Sequence, residues 1–346
     1  MVQSRRAHNA DDTRNESADR KPSVAVENLS LTYSDGTEAV KGISLSIPKG
    51  EFFGFLGPNG AGKTTTIKML ATLLEPTDGT VRINGYDATS ERTAVRGTIG
   101  YMAQETSVDE ELTAKENLRF ACEAYGVARA QREGRIDELL DLVDLADVSD
   151  TPAEQFSGGM KKRLDAATAL VHDPELVFLD EPTTGLDPKA RNRLWAYFER
   201  INENGTTIFL TTQYLEEADQ LCDRLAVIRD GTLVEDGSPD ELKRRVGGAR
   251  LEIDVDGGPA AVTEATDIAR NSALFEPDVA VDTTEDGLRV TTQFASDHGT
   301  ELLVALRDAG ISVSGFDIEE ASLDDVFLAI ADDQADNLEQ PGEGSA

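Results

Sequence analysis

A mostly parallel α/β sheet followed by a small α+β domain is the fold this sequence predicts, and three observations predict it. Short apolar runs alternate with helix-periodic stretches through the first two thirds of the chain. A glycine-rich loop, "GPNGAGKT", joins one such run, "FFGFL", to a helix. Near "VGGA" the pattern changes to strands and helices in a segment of about eighty residues, a plausible size for an independent unit.

The elements follow in order. Residues 1–22 are polar and lack an apolar h-region, so they are expected to form a disordered tail rather than a secretory signal. "VAVENLSLTYSDGTEAVKGISLSIPKGEFFGFLG" alternates apolar and polar residues, with turn signals at "SDG" and "PKG"; it predicts several short strands in a hairpin-rich sheet. "GTVRING" is a further short strand, and Leu112 to Leu145 carries helical periodicity with few turn signals. "LVFLDE" is a buried strand ending in acids, and "TTIFLTT" and "RLAVIRDGTLVEDG" add more strands. These place one domain at 23–246. A second, at 247–332, is expected to hold strands at "RLEIDVDGG", "GLRVTTQF" and "ISVSGFDIEE" and helices at "PAAVTEATDIARN", "GTELLVALRDAG" and "SLDDVFLAIA". Residues 333–346 are expected to be a second disordered tail.

Composition narrows the function. No apolar run approaches the ~20 residues that span a bilayer. Cys122 and Cys222 lie far apart and match no metal-ligand spacing, which predicts two reduced packing thiols. The net charge is −33, with acids spread along the whole chain and no basic stripe to neutralise phosphates. Nucleic acid is therefore not an expected partner. An acidic surface of this kind resembles those of salt-in halophiles, where salt screens the self-repulsion.

Three motifs carry chemistry. Gly57 to Thr64 (Gly57, Pro58, Asn59, Gly60, Ala61, Gly62, Lys63, Thr64) fits G-x-x-x-x-G-K-[ST] without a mismatch. Its backbone N–H groups would cradle phosphates, with Thr65 following at the helix start. Lys63 would reach the β- and γ-phosphates of ATP, and Thr64 would coordinate Mg²⁺. Asp180 ends a buried strand, where its carboxylate can hold Mg²⁺ through water. Glu181 is expected to point elsewhere, since strand residues alternate in direction, and to polarise the attacking water. "SGG", Ser157 with Gly158 and Gly159, opens a helix and offers a second phosphate-binding terminus. That terminus suits a phosphate held by a second copy.

With these motifs in this order, the chain resembles the ATP-binding subunits of ABC transporters over roughly Val24 to Gly237. The resemblance implies a P-loop NTPase of ABC type: a mixed sheet core, an antiparallel β subdomain and a helical subdomain. It places Tyr33 where the family has its adenine-stacking aromatic. Gln104 matches the Q-loop, which senses Mg²⁺ and faces the permease. Ser157 to Gly159 match the signature, and Asp187 in "GLDP" matches the D-loop, which crosses to the partner. It further implies a head-to-tail dimer with ATP in the interface, attached at the cytoplasmic face of the membrane through a separately encoded permease. "SGGMKKRLDAATALVHDPELVFLDEPTTGLDP" and "SLDDVFLAI" are similar to the daunorubicin-resistance type, a drug-export subfamily that often carries such a C-terminal domain.

One position departs from the family. Gln213, after "TTIFLTT", stands where a histidine is expected, although glutamine is common there in this subfamily. Its carboxamide can donate the same hydrogen bond to a γ-phosphate but cannot carry charge. Slower hydrolysis by about ten- to thirtyfold is the expectation. A clamp that binds ATP without turnover is the competing reading, against which an intact Glu181 weighs. An importer subunit is a further alternative.

Overall fold

The structure, a computed structural model, describes residues 22–245, 249–275, 279–292 and 294–329. Residues 1–21 and 333–346 of the expected tails, His8 among them, lie outside the described residues; Pro22 instead opens the first strand. The chain divides into two compact units, Met1–Asp236 and Gly237–Ala346.

The first unit holds strands β1 (Pro22–Thr32), β2 (Glu38–Pro48), β3 (Phe52–Leu56), β4 (Asp78–Ile83), β5 (Tyr86–Asp87), β6 (Ile99–Met102), β7 (Leu176–Asp180), β8 (Thr207–Thr212), β9 (Arg224–Arg229) and β10 (Thr232–Gly237). Its helices are α1 (Lys63–Leu70), α2 (Arg92–Thr98), α3 (Ala114–Ala124), α4 (Arg129–Leu142), α5 (Gly158–Thr168), α6 (Pro188–Glu203) and α7 (Leu215–Leu221). Strands β2-β1-β4-β5 form an antiparallel sheet, and β10-β9-β3-β8-β7-β6 form a six-stranded one. The second is parallel from β9 to β6. Its edge strand β10 follows β9 after two residues, a connection only an antiparallel pair allows.

Strands β3, β7 and β8 are buried at every position, which is why they read as continuous apolar runs. Phe209 on β8 meets Phe53 and Phe55 on β3 and Phe178 on β7, with ring centroids 5.4, 5.6 and 5.6 Å apart. Such pairs add about 0.5–1.5 kcal/mol each beyond their buried area. This aromatic centre fixes the register that matters for function. Leu56 pairs with Thr212 and Asp180 with Thr211, so the strand ends leading to Gly57, Glu181 and Gln213 lie side by side.

One expectation is corrected here, and one is met in finer detail. The hairpin-rich start is two strands of 11 residues each, not several short ones. Register shifts between Val26 and Leu29, and between Leu29 and Leu31, break the alternation and mimic strand ends. The stretch from Leu112 to Leu145 is two helices, α3 and α4, interrupted at Tyr125 to Ala128. Thr113 and Glu116 start α3 with a reciprocal capping box.

The second unit begins with α8 (Pro239–Arg245), before the boundary expected at 246/247. Ser238 and Glu241 cap α8 reciprocally: Ser238 Oγ accepts from Glu241 N–H at 3.1 Å and Glu241 Oε2 from Ser238 N–H at 3.1 Å. Then follow β11 (Ala249–Val255), α9 (Pro259–Arg270), β12 (Ala280–Thr283), β13 (Gly287–Thr292), α10 (Ala295–Asp308), β14 (Val313–Glu319) and a helix over 323–329. The sheet order is β12-β13-β11-β14. Strand β11 alternates buried and exposed, so one sheet face joins the core formed with α9 and α10.

Candidate functional site

The loop between β3 and α1 is shaped by glycines that nothing else can replace. A Cβ at Gly57 would lie 2.3 Å from the Ile228 carbonyl oxygen. Gly62 has φ +108°, and a Cβ there would lie 2.6 Å from the Ala39 carbonyl oxygen. Gly62 also caps α1 without a side chain, so the first-turn N–H groups stay available to an anion.

These groups border a cavity of about 520 Å³. Tyr33, Asn59, Gly60, Gly62, Lys63, Thr64, Thr65, Gln104 and Glu181 line it, all expected from the sequence. Thr37, Glu38, Ala39, Lys41, Asp230 and Gly231 complete its wall and were not expected. Tyr33, 40% exposed, holds its hydroxyl 3.0 Å from Thr65 Oγ1 and leaves a ring face for stacking.

At the buried end, Lys63 Nζ donates to the carbonyls of Gly57 (2.7 Å) and Pro58 (3.1 Å) and pairs with Glu181 Oε1 at 3.2 Å. Lys63 and Glu181 are 4% and 5% exposed. Glu181 Oε2 also accepts from Gln104 Nε2 at 3.2 Å. Glu181 reaches this site by a route other than strand alternation. The strand ends at Asp180, and Glu181 takes φ +46°, a left-handed turn that folds its carboxylate back into the cavity. The two acids diverge as expected, Asp180 toward Thr64 and Thr211 and Glu181 toward Lys63 and Gln104, but through this turn rather than through the pleat.

Asp180 Oδ1 accepts from Thr211 Oγ1 at 2.6 Å and from Thr64 Oγ1 at 3.2 Å. Burial pushes its carboxyl up; the two threonine hydrogen bonds oppose the rise, and the Glu181 charge adds to it. Its Oδ2 is buried without a hydrogen-bond partner among the described residues. An orphaned carboxylate oxygen beside a threonine hydroxyl is a hard-oxygen donor set that fits Mg²⁺. Thr211 was missed; its signal is a polar pair, Thr211 and Thr212, closing an otherwise apolar strand.

Other expected residues lie outside this cavity. Ser157 caps α5, its Oγ accepting from Met160 N–H at 3.3 Å, and Asp187 caps α6, accepting from Ala190 N–H at 3.0 Å. Gln213 follows β8 directly and is half-buried; its side chain has no hydrogen-bond partner among the described residues. Cys122 and Cys222 are buried and free.

Glu217 on α7 is fully buried behind the strand ends and was not singled out from sequence. Its Oε1 accepts from Thr183 Oγ1 (2.8 Å) and Trp195 Nε1 (2.9 Å), while Oε2 has no partner among the described residues. Burial pushes this carboxyl above the ordinary 4.5, against the hydrogen bonds it accepts. A raised carboxyl binds more protons folded than unfolded, so its contribution is fully present below pH 4.5 and is lost as pH rises through the folded value. Glu217→Gln should flatten the fall of the melting temperature with rising pH above that point; thermal unfolding across pH 4 to 8 measures it.

Comparison with known proteins matches this geometry to a family. Residues 40–184 match the ABC transporter family, and residues 237–331 match the C-terminal domain of DrrA1-3-like ATP-binding proteins. The daunorubicin/doxorubicin resistance ATP-binding protein of Streptomyces peucetius is 41% identical, over 92% of this chain and 95% of its own length. The linearmycin resistance ATP-binding protein of Bacillus subtilis is 36% identical, over 88% and 97%. Among solved structures, a dimeric ATP-binding cassette in a post-hydrolysis state bound to ADP and Pi aligns with TM-score 0.58 and 28% identity. It covers 62% of this chain and 98% of that one. The chain belongs to the ABC transporter ATP-binding proteins of the daunorubicin-resistance type, and it is an ATPase subunit of P-loop fold with an added C-terminal domain.

Proposed function

We propose that the chain powers export through a separately encoded membrane permease, as a head-to-tail pair of copies with ATP between them. The observation that carries the hydrolytic part is the buried Lys63–Glu181 pair at 3.2 Å in the same cavity as Thr64, whose hydroxyl donates to Asp180 behind it. In this reading Gly57 to Thr65 and Lys63 bind the phosphates, Tyr33 stacks on the base, and Glu181 takes the proton of the attacking water. Thr64 and Asp180, with Gln104, would hold Mg²⁺, which would supply positive charge to the phosphates. Ser157, Gly158 and Gly159 stand outside the cavity, which supports their serving the nucleotide of the other copy, with Asp187 at the crossing.

Among the described residues no helix is long and apolar enough to cross a membrane, so the permease is a second polypeptide in this proposal. Attachment at the cytoplasmic face goes through that permease, because a net charge of −33 is repelled by anionic lipid. The helical stretch after Gln104 carries the docking surface. Phe120 and Tyr125 expose 69% and 43% of their surface there. The same charge points to a high-salt cytoplasm, where screening relieves self-repulsion.

Two experiments test the reading. ATP-dependent dimerisation of the Glu181→Gln chain should appear by light scattering and disappear when Ser157→Arg is added; a dimer indifferent to Ser157 overturns the head-to-tail arrangement. Gln213→His should raise turnover about tenfold and Gln213→Ala should lower it, since only a donor reaches the γ-phosphate. Equal rates for all three would remove Gln213 from the site.

A further inference from the structure

Two charged side chains of α5 grip the Q-loop at both ends. Lys162 Nζ donates to the Gln104 carbonyl at 2.6 Å. Asp165 Oδ1 accepts from the Ser107 hydroxyl at 2.5 Å and from its backbone N–H at 3.2 Å. Positions 162 and 165 share one helix face, so the two grips act together. Between them the Gln104 carboxamide reaches Glu181 Oε2 at 3.2 Å.

Asp165 stands among Leu164, Ala166 and Ala167, all buried, and is itself 2% exposed. Packing alone does not ask for a carboxylate there. Its Oδ1 takes both bonds from Ser107, and its Oδ2 has no hydrogen-bond partner among the described residues. Burial pushes the Asp165 carboxyl up and the Lys162 ammonium down; each charge favours the charged form of the other.

We propose that Lys162 and Asp165 are positioning residues for hydrolysis: they fix the Gln104 backbone so that its carboxamide meets Glu181. The inference rests on the roles proposed above for Gln104 and Glu181. Its consequence is geometric. The helix that begins at Ser157 and the carboxylate of Glu181 are joined by one residue, so a displacement of α5 moves the hydrogen bond that orients Glu181.

The test is steady-state ATPase on the full chain with Mg²⁺, with nucleotide binding measured separately. Lys162→Met should lower kcat about tenfold and leave KM for ATP within about twofold, the signature of an interaction used in the transition state. Lys162→Arg, which keeps the donor, should restore most of the rate. Asp165→Asn, which keeps the acceptor but loses the charge, and Ser107→Ala, which leaves the backbone N–H in place, should each cost only a few-fold. In a Gln104→Ala background, Lys162→Met should add nothing further, since the two act in series. A parental kcat in Lys162→Met, or the same tenfold loss without Gln104, overturns the inference. Should Asp165→Asn fail to fold, the Lys162 series decides alone. Glu181→Gln separates the two levels: if it keeps parental turnover, the hydrolytic reading fails. If it is inactive while Lys162→Met is parental, only the positioning role fails.

Discussion

Replacing Glu181 by glutamine should lower ATP turnover by about 10²–10⁴-fold, the usual worth of a positioned general base, while ATP binding holds or tightens. The opposite directions follow from one contact. Lys63 Nζ is shared between Glu181 at 3.2 Å and the Gly57 and Pro58 carbonyls. An arriving phosphate competes with the Glu181 carboxylate for that ammonium. Glutamine has nearly the same shape and no charge, so the competition ends as the base is lost. Phosphate release and equilibrium nucleotide binding, measured on the same preparation, check both halves. Affinity falling in step with turnover would mean that Glu181 helps hold ATP rather than activate water.

Lys63→Met should have the second large effect, and on two observables. Removing one partner of a buried ion pair leaves the other charge uncompensated, at a cost of about 3–5 kcal/mol. Glu181 is 5% exposed and, among the described residues, keeps the Gln104 donor and the distant Thr184 Oγ1, 3.5 Å away. Phosphate binding should weaken at least about a hundredfold, because a charge-assisted contact is lost in a buried site. The double variant Lys63→Met with Glu181→Gln should recover most of the stability and none of the binding. Urea unfolding separates the outcomes: a double variant as unstable as Lys63→Met would place the cost in packing rather than in charge.

What the sequence makes legible depends on where a residue's partners lie. Strands β3, β7 and β8 are legible because burial on both faces demands apolar runs. The long β1 and β2 are not, because register shifts interrupt their alternation. Strand β6 has four residues wedged after α2, and in β12 Val281 alone is buried, too little pattern for either to register. The domain boundary drifted toward "VGGA" because glycines are loud signals, whereas the Ser238–Glu241 capping pair that starts α8 earlier is quiet.

The site divides in the same way. Gly57 to Thr64 and Asp180 are legible because their chemistry is local: glycines where a Cβ would clash, a lysine and threonine at a helix start, an acid at a strand end. Glu181 was legible as an acid beside Asp180, but the left-handed φ of 46° that aims it at Lys63 and Gln104 is imposed by the turn after β7 and was not. Thr211 showed only as half of a polar pair closing β8, and Asp165, Lys162 and Glu217 were silent. Their partners are Asp180, Ser107, Gln104 and Trp195, each on a different element and brought near only by the folded chain.

The most direct measurement is phosphate release from the purified full chain in molar KCl with Mg²⁺ and ATP, with the Glu181→Gln chain as the blank. An ATP-driven subunit predicts parental turnover well above the blank, with ATP bound by both. Turnover equal to the blank, with ATP still bound and the permease present, would contradict it and make the chain a nucleotide-gated clamp.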